Sequence, residues 1–123
     1  MFSAFKNLPK TFGHAWDGIR ILLFAEKHSL FLWLGAGAGV LLSHLLKVNK
    51  TEWLLVLLAI GTVFAAEAMN TAVEQAVDLA SPEQHPIAKK AKDLAAGAVL
   101  ITVITATTIG LLIFVPKIIA NWF

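Results

Sequence analysis

Residues 53–78 read WLLVLLAIGTVFAAEAMNTAVEQAVD, an uncharged apolar run that passes directly into a segment with regularly spaced polar side chains. Glu67, Asn70, Glu74 and Asp78 recur three or four residues apart, so on an α-helix they lie within a sector of roughly 80°. A carboxylate at membrane depth is costly unless it is paired, hydrated or bound to a cation. The stretch therefore predicts a membrane helix whose polar end forms a functional site.

The whole chain has the composition of a small membrane protein. Of its 123 residues 58% are hydrophobic, and the mean hydropathy is +0.75. Uncharged runs cover residues 29–46, 53–66 and 94–116, and a helix needs roughly 20 apolar residues to cross the hydrocarbon core. The middle run reaches that length only by continuing through Glu67 toward Val73. We therefore predict one all-α membrane domain, residues 1–123, with spans at about residues 29–47, 52–79 and 87–115.

The N-terminal segment, residues 1–26, has a different pattern, in which apolar side chains recur every three or four residues among charged ones. This pattern predicts an amphipathic helix in the membrane surface, with Lys6, Lys10 and Arg20 toward the lipid headgroups. An N-terminal arm packed on its neighbours would show the same stripe. Because charged residues interrupt the apolar ones, no cleaved signal is expected. The apolar positions are Phe2, Phe5, Leu8, Phe12, Trp16, Ile19 and Leu23.

Basic residues are unevenly distributed between the two sides of the predicted spans. Seven flank the N-terminus and the second loop, and three flank the other side, which predicts that the first group faces the cytoplasm. The net charge is only +2, and no nucleic-acid partner is expected. The seven are Lys6, Lys10, Arg20, Lys27, Lys89, Lys90 and Lys92, and the three are Lys47, Lys50 and Lys117.

The glycines of the first span and the four histidines are assigned structural roles. Gly35 and Gly39 form a small-xxx-small pattern that lets membrane helices approach closely, and their spacing does not match a nucleotide-binding glycine loop. The chain has no cysteine, which excludes disulfides and thiolate metal sites. Its four histidines, at positions 14, 28, 44 and 85, have no second ligand at metal spacing, so structural or interfacial roles are expected.

Seven polar residues near one membrane boundary can converge on a single site. Magnesium binds through one or two carboxylates plus substrate phosphates, which suits Glu26 and Glu74. Phosphoryl transfer also needs a cation near the phosphates and a group that orients or deprotonates the attacking hydroxyl, which suits Lys92 and Glu67. An ion or proton pathway would use the same carboxylates, and the lysines also fit a positive-inside cluster. The seven are Glu26, Glu67, Asn70, Glu74, Asp78, Lys92 and Asp93.

Two segments, EAMNTAVEQAVD at residues 67–78 and AKDLAAGAVL at residues 91–100, resemble the signature of the prokaryotic diacylglycerol kinase and undecaprenol kinase family. Upstream, WDGIR at residues 16–20 and Glu26 stand where that family has its surface-helix motif and its N-terminal acidic residue. The resemblance covers nearly the whole chain and is most specific in the second and third spans.

The resemblance implies an integral membrane lipid kinase that works as a homotrimer in the bacterial cytoplasmic membrane, with active sites assembled between subunits. Such an enzyme transfers the γ-phosphate of ATP, bound with Mg²⁺, to the hydroxyl of a membrane lipid alcohol at the cytoplasmic face. The loop at residues 81–90 is more similar to the undecaprenol kinase branch, so undecaprenol is favoured over diacylglycerol as the acceptor.

The resemblance also implies a role for each site residue. Glu67 is expected to be the catalytic base, with Asn70 beside it. Glu26 and Glu74 are expected to bind magnesium and, through it, the nucleotide. The remaining nucleotide contacts are Asp78, Lys92 and Asp93, and the surface-helix motif that meets the lipid includes Trp16 and Arg20.

One position departs from the family pattern. Members commonly have an arginine four residues after the position of Glu26, where this chain has Leu30. A catalytically inactive homologue that serves as an assembly partner therefore stays open, as does a small ion or proton transport subunit. The lack of ionisable residues from Leu94 to Val115 argues against a transport path, because a pore needs polar groups across the whole bilayer.

Overall fold

A computed structural model describes residues 5–123, and all regular secondary structure within that range is helical. Helix α1 covers Leu8–Arg20 and continues into a π-helical turn, Ile21–Ala25. Three longer helices follow: α2, Ser29–Leu45; α3, Lys50–Ala80; and α4, Pro86–Trp122. The predicted fold class, an all-α membrane protein, is confirmed.

Two of these helices, α3 and α4, are long and apolar enough to cross a membrane, with mean hydropathies of 1.7 and 2.5 in their most apolar segments. The first predicted span is shorter, because α2 has 17 residues, or about 26 Å of helix. It is long enough to count as a membrane span only together with α1 and the π-helical turn, from which it is bent by 93°. Residues 5–123 therefore contain two candidate membrane spans, or three when this bent pair counts as one.

Helix α1 carries an apolar stripe that nothing else in the described chain covers. Leu8, Phe12, Trp16 and Ile19 lie within about 80° of one another on this helix, and no residue of Leu8–Arg20 is buried. Arg20, one turn after Trp16, lies at the edge of this stripe. The regular turns of α1 end at Arg20, and the π-helical turn continues the helix to Ala25, close to the predicted end at residue 26. Residues 1–4 of the predicted surface helix lie outside the described residues.

The turn between α2 and α3 is fixed by a reciprocal cap. The side chain of Asn49 accepts a hydrogen bond from Glu52 N at 2.9 Å, and Asn49 N donates to Glu52 Oε1 at 3.1 Å. This capping box satisfies two donors that a helix start otherwise leaves free. Glu52 Oε1 also lies 3.2 Å from Lys117 Nζ, so the cap connects α3 to α4. We call this part of the molecule the turn end.

The hydrophobic core lies at the turn end. Val48, Val56, Ile113 and Phe114 are buried there and form one cluster. Gly39 of α2 faces α3 closely, since a Cβ at that position would be 3.5 Å from Ile60 Cδ1. The close approach predicted for the small-xxx-small pattern is thus seen at its second glycine.

Helix α4 extends further than the sequence predicts. The predicted span stops at residue 115 because Pro116 follows, whereas the helix passes through Pro116 and ends at Trp122. A proline inside a helix removes one hydrogen bond and strains the preceding turn. Beyond it, Lys117 pairs with Glu52 and Ile118 packs against the core, and these contacts keep the last turns helical.

At the opposite end α3 and α4 continue past α2. Helix α3 has 31 residues and is about 46 Å long, well beyond a hydrocarbon core of about 30 Å. Glu67 lies 17 residues after Lys50, or about 26 Å along the helix axis. It therefore stands near the membrane boundary if Lys50 marks the other one. We call the part of α3 and α4 beyond Glu67, joined by residues 81–85, the loop end.

Candidate active site

Glu67 and Asn70 are buried on α3, with only 7% and 6% of their surfaces exposed. Among residues 5–123, Glu67 is the one ionisable residue in the buried class. Burying a carboxylate costs free energy because the charge loses its hydration. Three residues further along, Asn70 extends the same helix face. A polar pair kept in this position points to a function rather than to packing.

Asn70 is hydrogen-bonded to the next member of the series. Its Nδ2 donates a hydrogen bond to Glu74 Oε1 at 3.3 Å, as the spacing of four residues on a helix allows. Its Oδ1 is buried and has no hydrogen-bond partner within residues 5–123. An unsatisfied buried acceptor costs about 1–3 kcal/mol. This oxygen therefore points to a donor that a ligand or a second chain supplies.

At the loop end the charges are arranged as two ion pairs. Lys92 Nζ of α4 contacts Asp78 Oδ1 of α3, and Lys89 Nζ lies 2.6 Å from Asp93 Oδ2 one turn away on α4. All four side chains are at least partly exposed, so these pairs exchange readily with a charged ligand. They border a cavity of about 760 Å³ between the last turn of α3, residues 81–85 and the first turns of α4.

The predicted polar residues form a line rather than a ring. Glu67, Asn70, Glu74 and Asp78, which we call the polar strip, lie on one face of α3. Eleven residues separate its ends, or about 16 Å of helix rise. A line of this length fits an extended charged ligand, with one end at the cavity of the loop end and the other at the membrane boundary beside Glu67.

Glu26 is brought into this region by the bend between the π-helical turn and α2. It directly follows the π-helical turn, and its N–H donates to Ile21 O at 3.2 Å. Two residues later, His28 Nδ1 lies 3.9 Å from Glu67 Oε2. The corner that carries Glu26 therefore stands at the level of Glu67. The sequence predicts a structural or interfacial role for His28, which with Lys27 is also a candidate to replace the family arginine absent at Leu30. Its place two residues after Glu26 is a second signal that points to the site.

The residues present fit a magnesium ion. No three histidine or acidic side chains in the part of the chain that the structure describes come together as a metal cage. Magnesium does not need one, because it usually keeps several waters and binds through one or two carboxylates plus phosphates. Within the polar strip, the carboxylate of Glu74 and the unpartnered Oδ1 of Asn70 are available as oxygen ligands. The bend adds the carboxylate of Glu26.

Other predicted residues lie apart from the strip. Trp16, 62% exposed, and Arg20 belong to α1 and make no side-chain hydrogen bond or ion pair within residues 5–123. Leu30, which replaces the family arginine, is exposed at the second position of α2. An apolar crevice of about 490 Å³ runs between α2, α3 and α4 on the membrane side of this region, and Gly35 and Gly39 line part of it.

Comparison with known proteins decides the family. The model of the prokaryotic diacylglycerol kinase family matches residues 13–114 of this chain, which include the polar strip, Glu26, Lys89 and Lys92. This chain belongs to the prokaryotic diacylglycerol kinase family. The predicted class, an ATP-dependent lipid kinase, is confirmed, and so is an enzyme that uses ATP with a metal ion and acts on lipid in a membrane. The alternative of a transport subunit finds no support.

Three relatives cover most of this kinase. It is 41% identical over 109 residues to an undecaprenol kinase of Bacillus subtilis, with 89% of each chain covered. It is 34% identical to a diacylglycerol kinase of Helicobacter pylori, with 85% of this chain and 82% of the relative covered. A diacylglycerol kinase of Escherichia coli strain K12 is 28% identical, with 85% of each chain covered.

Proposed function

We propose that this lipid kinase transfers the γ-phosphate of MgATP to the hydroxyl of undecaprenol and thereby forms undecaprenyl phosphate. The observation that carries the proposal is the polar strip. It runs from the buried carboxylate of Glu67 near the membrane boundary to Asp78, which forms an exposed ion pair with Lys92 beside a cavity. Its two ends match the two substrates, since a lipid alcohol reaches Glu67 from the membrane and a nucleotide reaches Lys92 from water.

Glu67 is the proposed base. The lipid hydroxyl gives its proton to the Glu67 carboxylate while its oxygen forms a bond to the γ-phosphorus, and the bond from that phosphorus to the β–γ bridging oxygen breaks to release ADP. Its position supports this role, because Glu67 lies at the end of the polar strip that a lipid alcohol reaches from the membrane. Asn70 stands one turn away and offers its free Oδ1 to orient the attacking hydroxyl or a bound water.

The nucleotide is proposed to lie along the rest of the strip. Glu26 and Glu74 would hold the magnesium ion, which offsets phosphate charge when it is bound. Lys92 would exchange its contact with Asp78 for a phosphate oxygen, and Asp78 and Asp93 would then accept hydrogen bonds from the nucleoside. The exposure of both loop-end ion pairs supports this exchange, since exposed pairs contribute little stability.

Undecaprenol is proposed over diacylglycerol on sequence similarity. The relative named undecaprenol kinase is 41% identical to this chain, against 34% and 28% for two relatives named diacylglycerol kinase. All of these comparisons cover at least four fifths of this chain, so the difference does not come from the length compared.

The oligomer and the orientation complete the proposal. We infer a homotrimer in the bacterial cytoplasmic membrane, with its N-terminus and its sites on the cytoplasmic side. The free Oδ1 of Asn70, the uncovered apolar stripe of α1 and the apolar crevice all support contacts with further copies or lipid. Chemical cross-linking in micelles should give trimers as the largest species, and the positive-inside bias predicts protease access to residues 81–85 only from the cytoplasmic side.

The test is a transfer assay with the purified protein in mixed micelles. Labelled γ-phosphate from MgATP should appear on undecaprenol at a kcat/KM at least about tenfold above that for diacylglycerol, a difference of about 1.4 kcal/mol in transition-state binding. Undecaprenyl acetate, which has no free hydroxyl, is the acceptor control. The reverse ratio would overturn the substrate assignment. Absence of transfer to any lipid alcohol, in protein shown to be folded, would favour the inactive homologue.

A further inference from the structure

The contact between His28 and Glu67 joins two parts of the chain that the proposed mechanism uses separately. His28 Nδ1 lies 3.9 Å from Glu67 Oε2, and it is the one cationic or imidazole side chain within 4.0 Å of that carboxylate among residues 5–123. An N–H···O hydrogen bond spans about 2.7–3.2 Å, so a closing movement of about 1 Å would form one. Hydrogen bonds at active sites are often long before the substrate binds and tighten in the complex.

The backbone that carries His28 is held in place independently of Glu67. His28 is the residue before the first turn of α2, and its carbonyl accepts from Leu32 N at 3.2 Å. Trp33 Nε1 donates to Leu23 O at 2.9 Å across the bend, and the rings of Phe24 and Trp33 are 6.0 Å apart. These contacts fix the backbone of the bend before α2, and this backbone places the imidazole of His28 beside Glu67.

The exposures of the two side chains define what His28 can do. The Glu67 side chain is 9% exposed and the His28 side chain is 55% exposed, so the carboxylate has little water to orient it while the imidazole is still hydrated. A carboxylate with two equivalent oxygens must present one of them to the lipid hydroxyl. A donor at the other oxygen fixes that choice before the substrate arrives, which lowers the cost of reaching the reactive geometry.

We propose that His28 is a positioning residue for Glu67: its Nδ1–H donates to Oε2 and leaves Oε1 directed toward the lipid hydroxyl. This inference rests on the proposed role of Glu67 as the base. It assigns a function to a residue of the bend and leaves Glu26, in the same corner, to the metal and the nucleotide.

The primary test measures kcat, both KM values and magnesium dependence in His28→Ala and His28→Asn. Alanine removes the donor and should lower kcat by about tenfold or more, with KM for MgATP and the magnesium dependence unchanged. Asparagine places its amide Nδ2 close to the position of Nδ1 and should restore kcat to within about threefold of the wild type. His44→Ala, which truncates an exposed histidine at the other end of α2, is the matched control and should leave kcat unchanged.

A double-mutant cycle shows whether His28 acts through Glu67. In a Glu67→Gln background, His28→Ala should cause no further loss of turnover, because groups that act as one unit are not additive. An equal loss in both backgrounds would overturn the proposal, as would an unchanged kcat in His28→Ala or a shifted magnesium dependence. If His28→Ala does not fold, His28→Leu removes the donor while it keeps the side-chain volume, and the same outcomes apply.

The failure of this inference is distinguishable from failure of the proposed function. If Glu67→Gln retains wild-type turnover, Glu67 is not the base and the proposed mechanism fails. If Glu67→Gln loses turnover while His28→Ala and His28→Leu keep it, only the role of His28 fails.

Discussion

At the turn end three helices meet and bury Val48, Val56, Ile113 and Phe114, whereas at the loop end α3 and α4 continue without α2 and carry exposed ion pairs. The ionic contacts differ in the same way. Glu52 and Lys117 are 19% and 29% exposed and belong to a helix cap, while Asp78 and Lys92 are 66% and 40% exposed. The chain thus separates the part that holds its helices together from the part that meets substrates.

This separation follows from helix length. Because α2 stops at the level of Glu67, only α3 and α4 can reach beyond the membrane boundary, and an antiparallel pair leaves both of its flanks open. Open flanks are what a nucleotide and a second subunit need. The comparison predicts that substitutions at the two ends change different measurements, stability at the turn end and turnover at the loop end.

The largest effect on stability is expected from Phe114→Ala. Truncating a buried aromatic side chain leaves a cavity and costs about 3 kcal/mol or more in proteins, and lipid hydrocarbon offsets part of this loss only if it can enter the cavity. Unfolding in mixed micelles should report the loss, while turnover per folded molecule should stay at the wild-type value. Leu112→Ala, on an exposed face of the same helix, is the control. Comparable losses in both variants would contradict a core at the turn end.

Glu74→Gln should produce the opposite pattern. Loss of a carboxylate that holds magnesium should weaken the apparent affinity for MgATP by more than about tenfold, because changing even a group that only hydrogen-bonds to a metal ligand costs about 10- to 100-fold. Initial rates across magnesium and ATP concentrations measure this effect, and the unfolding midpoint should not change. Glu52→Gln alters a carboxylate on the same helix at the turn end and should leave the rates unchanged. Equal rate effects in both variants would remove the distinction between the two ends.

The smallest expected effect concerns the ion pair of the turn end. A cycle of Lys117→Met and Glu52→Gln should give a coupling free energy of about 0.5 kcal/mol in unfolding, as for other partly exposed pairs. Lys50→Met, at the start of α3, is the control. A coupling of several kcal/mol would show that the pair, rather than the apolar cluster, dominates stability at this end.

The sequence predicted the helices well because apolar runs and helix breakers act locally. The uncharged run at residues 53–66 continues as helix through Glu67. Residues 81–85 separate α3 from α4 as expected, with Pro82 in the connection and Pro86 at the first position of α4. The predicted end of α4 at residue 115 was wrong, because the sequence shows the helix-breaking Pro116 but not the contacts of Lys117 and Ile118 that outweigh it. The bend of 93° before α2 is what a surface helix followed by a span requires. The hydrogen bond from Trp33 Nε1 to the carbonyl of Leu23 that holds the bend was not predictable from the sequence.

For the candidate site, residues on one helix were predictable and contacts between elements were not. Glu67, Asn70, Glu74 and Asp78 share a face because the helix repeat is fixed. The position of His28 beside Glu67 requires the corner geometry, for which a single sequence has no periodic signal. The specific roles of these residues came from the family resemblance, and they are proposals for the experiments above.

The most direct test of the account is a comparison of chemistry and binding in a single preparation of Glu67→Gln. General base catalysis contributes about 10²–10⁴-fold, so single-turnover transfer to the lipid alcohol should fall by at least about 100-fold. MgATP affinity, measured in the same micelles, should stay within about threefold of the wild type, because Glu67 lies at the membrane end of the polar strip. Transfer at the wild-type rate, or a loss of transfer matched by an equal loss of MgATP affinity, would contradict Glu67 as the base.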